Sequence, residues 1–375
     1  MKRLAALCLC IPLALTAVTT TSSADDMVKL RGKPPTGSGP AGKAPDADRV
    51  SRLLAAPFRS APDSVTNDRA SRSGPRKLRA ADFGFIGRSA DGKDISAPPP
   101  EGTDRLIAED AERQNQPSGK KMGNRAGSHT LEGGVEPVGD EQKGGKDRKV
   151  IGADDRIMIE PTSQYPFSSV GYLELKYSSG YSRCTGTVIS RNIVITAAHC
   201  LFDLETGEWA QSVAFLPGMN GKSAPLGMFE AENWVIQKGY VDSGAAIGGD
   251  QHIHDIGIVE FNTDVGNTTG WLAVGTNPSL PPFVANIVQY PADKEGYFMW
   301  RSACPVNAEN ITDYFLTYEC DTYGGSSGSS VYDYIDKDNR IIYAIHTTGT
   351  PSMNIGVRIT DVHFNWIVSK INAKQ

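Results

Sequence analysis

Long apolar runs are scarce in this chain of 375 residues. The one at its start, Leu4 to Val18, is too short and too close to the N-terminus for a good membrane span. No later stretch approaches the about 18 consecutive apolar residues that a span needs, so no transmembrane helix is expected. Cysteine is scarce as well. There are six, and Cys8 and Cys10 lie inside that opening run. Leu precedes each of them where a lipid-attachment site wants a small residue, which speaks against a lipoprotein. No CxxC pair is present to suggest zinc. Histidine is rare: His199, His252, His254, His346 and His363 are the five after residue 149. A chemistry that needs a base near neutral pH has few places to find one.

Aromatic residues are almost missing between residues 25 and 149. That segment is rich in Gly, Pro, Ser, Ala and charge, and stretches such as 32–48 and 118–134 show neither helical nor strand periodicity. Such a composition buries too little apolar surface to offset the entropy of ordering. The segment is therefore expected to be largely disordered. Lys2 and Arg3, the apolar run and Ser22-Ser23-Ala24 make residues 1–24 an export signal. In an exported chain the four remaining cysteines, an even number, read as disulfides.

From residue 150 the texture changes. Short runs rich in Val, Ile, Tyr and Phe follow one another, most of them bounded by turn residues: 170–177, 185–190, 192–196, 256–261, 285–291, 314–320 and 340–346. This is the pattern of an all-β sandwich or barrel. At the end, Phe364, Ile367, Val368 and Ile371 fall at helical spacing, with Thr360 or Asp361 as N-cap, and predict one closing helix. Residues 150–375 carry 13 Lys+Arg against 24 Asp+Glu, whereas residues 1–149 carry 25 against 19. The acidic second part argues against nucleic acid as its main partner.

Three stretches carry chemistry. CTGTVISRNIVITAAHC (184–200) places His199 after two strands, among small residues, with a cysteine behind it. HDIGIV (254–259) places Asp255 at the head of an apolar strand. Asp250 competes but sits in a Gly-rich loop with no strand after it. CDTYGGSSGSS (320–330) contains Gly-x-Ser-Gly once, centred on Ser327. A serine hydroxyl needs a base to take its proton, and that base needs a carboxylate to orient it. Gly325 and Gly328 suit a tight turn in which the N–H groups of Gly325 and Ser327 can face a developing oxyanion. His252 and His254 form an HxH pair, but no third ligand stands in reach, and a loop is the better reading.

The His box and the Gly-x-Ser-Gly box, in the order His, Asp, Ser, resemble the chymotrypsin-like serine proteases, and most closely the bacterial glutamyl endopeptidases. The resemblance covers essentially all of 150–375. It implies two six-stranded antiparallel barrels, the first about 160–265 and the second about 270–360, closed by the helix at about 361–373. It implies His199, Asp255 and Ser327 as catalytic residues, Gly325 and Ser327 as oxyanion hole, and a Cys184–Cys200 disulfide. Cys304 and Cys320 flank a hairpin-like span and are expected to form a second bridge. No metal or organic cofactor is expected.

Specificity is contested in the sequence. Asp321 stands six places before Ser327, where trypsin-like enzymes keep the aspartate that pairs with Lys or Arg. Against that, AIHTTG (344–349) resembles the pocket strand of glutamyl endopeptidases, with His346 as donor to a substrate carboxylate, and Thr322 stands where that group has a hydroxyl. Ser326 replaces the aspartate that trypsin-like enzymes use to hold a new N-terminal amine. VIGADDR (150–156) resembles the mature start of glutamyl endopeptidases, whose amine lies near the pocket. These features make residues 25–149 a propeptide, removed by an activating protease near Lys149, with Val150, Thr322 and His346 as the specificity set. The expected product is a secreted, monomeric endopeptidase acting on proteins or peptides and preferring Glu, then Asp. The alternatives are trypsin-like cleavage through Asp321, and a non-catalytic binding homologue.

Overall fold

The computed structural model describes residues 28–37, 39, 41–44, 78–115, 150–243, 253–350 and 352–374. The signal, Lys149, Asp250 and His252 lie outside the described residues.

Strand Val170–Tyr177 starts and stops where its residue pattern predicts, and pairs antiparallel with Gly180–Val188 across a two-residue turn. Gly180, with φ of 129°, supplies a turn conformation that a side chain would strain. From this hairpin the first sheet extends both ways. On one side lie Ser212–Pro217 and Phe229–Glu230; on the other lie Ile193–Thr196, Gly257–Glu260 and Asn233–Gln237. The second sheet runs Ala273–Thr276, Asn339–Gly349, Ser330–Asp336, Phe283–Gln289 and Trp300–Val306, and Asn354–Arg358 branches from Asn339–Gly349 to pair with Phe315–Tyr318. The strands of both sheets are buried along most of their length, so their sequences read as nearly continuous apolar runs rather than strict alternation.

Each sheet has nine strands rather than six. Two of the nine in each come from segments outside its own barrel, and seven from within it. Phe85–Ser89 and Asp94–Ala97 extend the first sheet beyond Asn233–Gln237; Val28–Leu30 and Ile157–Met158 flank the second.

This corrects the expectation of disorder for part of 25–149. Residues 78–115 form a turn of 3-10 helix at Ala80–Phe83, the two strands just named and a helix, Thr103–Asn115. The segment has few apolar residues, but they are concentrated. Phe83 is fully buried, and Phe85 stacks on the buried Trp366 at 4.9 Å between ring centroids. Each such ring contributes roughly 1.5–3 kcal/mol on burial. Composition averaged over 125 residues hid a local core that borrows its other half from the domain behind it.

The closing helix spans Asp361–Ala373 with Thr360 as N-cap. Its buried face is set by Val362, His363, Trp366, Ile367 and Ile371; Phe364 and Val368 lie at the margin. The spacing located the helix but placed its centre of burial about one position off.

Candidate active site

His199 lies in the short helix Ala198–Leu201, directly after strand Ile193–Thr196. The Cys184–Cys200 disulfide ties this turn to the adjoining strand. Asp255 precedes strand Gly257–Glu260, whose first residue pairs with Thr196. That register brings the carboxylate under the histidine. Asp255 accepts a hydrogen bond from the His199 backbone N–H at 2.9 Å, and its other oxygen faces His199 Nδ1 at 2.8 Å. The carboxylate is 1 % exposed. Nδ1 is thereby engaged, and Nε2 is the ring nitrogen left for proton transfer. Gly257 has a local reason: a Cβ there would stand 2.6 Å from Leu201 Cδ1, in the turn that carries His199.

The loop of Ser327 is clamped onto this arrangement. Thr185 N–H donates to the Ser327 carbonyl at 2.8 Å, and the Thr185 hydroxyl donates to the Gly325 carbonyl at 2.9 Å. Gly328, with φ of 84°, passes so close to the His box that a Cβ would stand 2.0 Å from Thr196 Oγ1 and 3.0 Å from the Ala197 nitrogen. Gly325 has φ of 94°, and a Cβ there would meet the Tyr290 carbonyl at 2.6 Å. Both glycines are required by conformation and by close approach. The N–H groups of Ser326, Gly328 and Ser329 donate to the carbonyls of Tyr323, His346 and Ser326. Those of Gly325 and Ser327 have no acceptor among the described residues.

Asp321 is engaged by the segment that follows Val150. One carboxylate oxygen accepts the Ile151 N–H at 2.7 Å, the other the Asp155 N–H at 3.0 Å. Burial raises the pKa of Asp321 although both N–H donors lower it, and Asp155 is raised by its own burial and by the facing Asp321. The segment is held again one residue further on. The buried Arg156 side chain forks between Asp154 and Asp293, and Lys294 reaches Asp154 at 2.7 Å. Residues 150–156 are thus fastened beside the second sheet through Asp321, Asp293 and Lys294, a constellation that the sequence did not disclose. Ser326 is engaged elsewhere: its hydroxyl donates to Gln289 and accepts the Tyr323 N–H.

His346 lies on strand Asn339–Gly349, 1 % exposed, with Nδ1 2.8 Å from the Tyr318 hydroxyl. Its carbonyl accepts the Gly328 N–H and its N–H donates to the Ser329 carbonyl, so two backbone hydrogen bonds join this strand to the Ser327 loop. Burial keeps the Tyr318 phenol protonated far above neutral pH. Thr322 donates to Asn354 at 2.9 Å, and Asn354 donates to the Cys320 carbonyl. Cys320 is bonded to Cys304, the second expected disulfide. Tyr318, Gln289 and Asn354 were not singled out from the sequence. No motif marks them; the pairing of Phe315–Tyr318 with Asn354–Arg358 brings Tyr318 and Asn354 here, and Gln289 comes from the end of strand Phe283–Gln289.

His254 of the HxH pair is buried with Nδ1 2.6 Å from Gln237 Oε1, a structural role. Cys184, His199 and Cys200 form the one cluster of three potential metal-binding side chains among the described residues. Their sulfurs are bonded to each other and His199 Nδ1 faces Asp255, so the set does not fit a zinc site, which needs thiolates or unengaged imidazoles.

A trypsin-like peptidase domain is matched by residues 184–340. An extracellular metalloprotease of Bacillus subtilis is 35 % identical over 221 residues, 58 % of this chain and 67 % of that one. The glutamyl endopeptidase of Bacillus licheniformis is 31 % identical over 236 residues, 61 % of this chain and 71 % of that one. Among solved structures, a Glu endopeptidase in complex with MPD superposes with a TM-score of 0.53 at 26 % identity, over 59 % of this chain and 98 % of the other. The word metalloprotease belongs to the Bacillus subtilis protein; the donor set here does not answer to it.

Proposed function

The chain belongs to the trypsin-like serine endopeptidases related to the glutamyl endopeptidases, and we propose that it is exported as a zymogen, cut before Val150, and then cleaves peptide bonds after Glu and, less well, after Asp. In this reading Ser327 Oγ attacks the scissile carbonyl and His199 Nε2 takes its proton. The resulting imidazolium is stabilised by Asp255, which already holds Nδ1 and the backbone N–H of the same residue. The oxyanion forms against the N–H groups of Gly325 and Ser327. Donors of this kind contribute about 10²–10³ in rate each. His199 then protonates the leaving amine, and water repeats the sequence on the acyl-enzyme.

The observation that carries the acidic specificity is the engagement of Asp321 by Ile151 and Asp155. A carboxylate that accepts two backbone N–H groups is poorly placed to receive a lysine or arginine. What it does hold is the segment that begins at Val150. After cleavage that segment carries a free amine, and the amine, with His346 and Thr322, would neutralise a substrate carboxylate. In this reading the Tyr318 hydroxyl donates to Nδ1, and Nε2 carries the His346 proton that meets the substrate carboxylate. Export agrees with the two disulfides.

The test is cleavage of a mixed peptide library by the chain processed to Val150, with Ser327→Ala as blank. Cuts after Glu that vanish in the blank are expected. Cuts after Lys or Arg would return Asp321 to the role its spacing suggests.

A further inference from the structure

The segment 78–115 is not laid over the protein as a loose leader; it completes it. Phe85–Ser89 pairs antiparallel with Asn233–Gln237 at five consecutive positions, from Phe85↔Gln237 to Ser89↔Asn233. Without it, that strand would be an open edge with unpaired backbone groups. The pairing is extended by Lys238 N–H to the Gly84 carbonyl at 2.7 Å and Ala90 N–H to the Glu232 carbonyl at 2.8 Å. Phe83 packs edge-on against His254 at 5.0 Å and His363 at 5.4 Å between ring centroids. Phe85 covers Trp366. Helix Thr103–Asn115 lies along the closing helix, with Arg113 on Asp361 at 2.8 Å and Gln114 on Tyr314 at 3.0 Å.

The position of this contact matters. His254 precedes Asp255, and His363 Nε2 donates to the carbonyl of Ile253 at 2.7 Å. Phe83 therefore fills the space between the two histidines that flank the chain leading into Asp255. The cut expected near Lys149 falls between residues 115 and 150. It would break the covalent link and leave every one of these contacts in place.

We propose that residues 78–115 stay bound after the cut, so that the processed enzyme is a two-chain molecule whose smaller chain supports the Ile253–Asp255 stretch. This rests on reading Val150 as the new N-terminus. The occupant of the surface is a named segment of the same chain, already seated in register with a sheet edge. Loss of its largest buried groups, Phe83 and Phe85, would strip ring contacts from His254, His363 and Trp366.

The experiment is limited digestion of the full chain with a lysine-specific endopeptidase, with the cut after Lys149 verified by N-terminal sequencing. Size-exclusion chromatography of the product follows, and denaturing electrophoresis and mass spectrometry of each fraction. The proposal predicts that a fragment containing 78–115 co-elutes with the domain in one-to-one ratio and separates only in denaturant. Elution of the domain alone, with its near-ultraviolet circular dichroism unchanged, overturns it. Gly87→Val gives the second arm. A Cβ at Gly87 would stand 2.3 Å from the Trp234 carbonyl, so the substitution blocks strand pairing without changing any residue of the peptidase domain. It is expected to lower retention of the fragment at least tenfold, with Phe83→Ala acting in the same direction. Full retention in both variants would overturn the interface as described. Retention is read without any turnover. A failed peptidase reading would show as an absent reaction of Ser327 with a fluorophosphonate, with co-elution unaffected.

Discussion

Ile151 donates its backbone N–H to Asp321, 170 residues further along the chain, at 2.7 Å. By position Asp321 is the residue that would receive a basic substrate side chain. By contact it is an anchor for the segment that begins the peptidase domain. With the Asp155 N–H on its other oxygen at 3.0 Å, the carboxylate has two backbone partners that the residue count alone does not disclose.

Removing the nucleophile should cost activity and little else. Ser327→Ala is expected to abolish turnover and change stability by less than about 0.5 kcal/mol, since the side chain is partly exposed and only its backbone is used to hold the loop. Gly328→Ala should behave in the opposite way. Its positive φ and its approach to Thr196 Oγ1 leave no room for a methyl group. A loss of about 2 kcal/mol or more in unfolding free energy, with activity lost as well, is expected. Equilibrium unfolding of the two variants side by side checks both.

Asp255→Asn should keep the fold and lower kcat by about 10⁴, because an amide facing His199 Nδ1 favours the wrong tautomer. Steady-state kinetics on one peptide substrate measures it. A fall of less than tenfold would mean that another acid serves His199.

His346→Ala is expected to lower kcat/KM on Glu peptides by roughly 10–150-fold, the range for a hydrogen bond to a charged group. Tyr318→Phe removes only the partner of Nδ1 and should cost about fivefold. Matched peptides with Gln in place of Glu should show little change in either variant. An equal loss on both peptides would make His346 a packing residue.

His363 gives a pH signature. Burial lowers its pKa to about 4 from an ordinary 6.5, against the hydrogen bond to Ile253 that raises it. Between those two values the unfolded chain takes up a proton that the folded chain refuses. This contribution to stability is therefore complete above about pH 6.5 and is lost progressively as pH falls toward 4, by up to about 3 kcal/mol. Thermal unfolding across that range should show the loss, and His363→Gln, which cannot titrate, should flatten it.

The three boxes and seven of the twenty described strands were legible because each depends on neighbours in sequence. Val170–Tyr177 and the Gly-x-Ser-Gly turn carry their reasons within a few residues. Ser212–Pro217 and Asn233–Gln237 were passed over; the first is interrupted by polar and proline residues at its ends, and the second is half hidden by Asn233 and Gln237. The strand Phe85–Ser89 was illegible for a stronger reason. Its partner lies about 150 residues away, and alone it has too little apolar surface to fold. The same holds for Arg156 with Asp293 and for Tyr318 with His346: only the tertiary fold makes them pairs.

The most direct measurement is kcat/KM for matched Glu and Lys peptides with the processed chain and its Asp321→Asn variant. An amide in place of the carboxylate must turn its nitrogen toward the Ile151 or the Asp155 N–H, losing one acceptor. The account predicts cleavage after Glu in both proteins, with KM raised about tenfold in the variant, kcat less affected, and negligible cleavage after Lys in either. Efficient cleavage after Lys by the unsubstituted protein, lost a hundredfold or more in the variant, would contradict it.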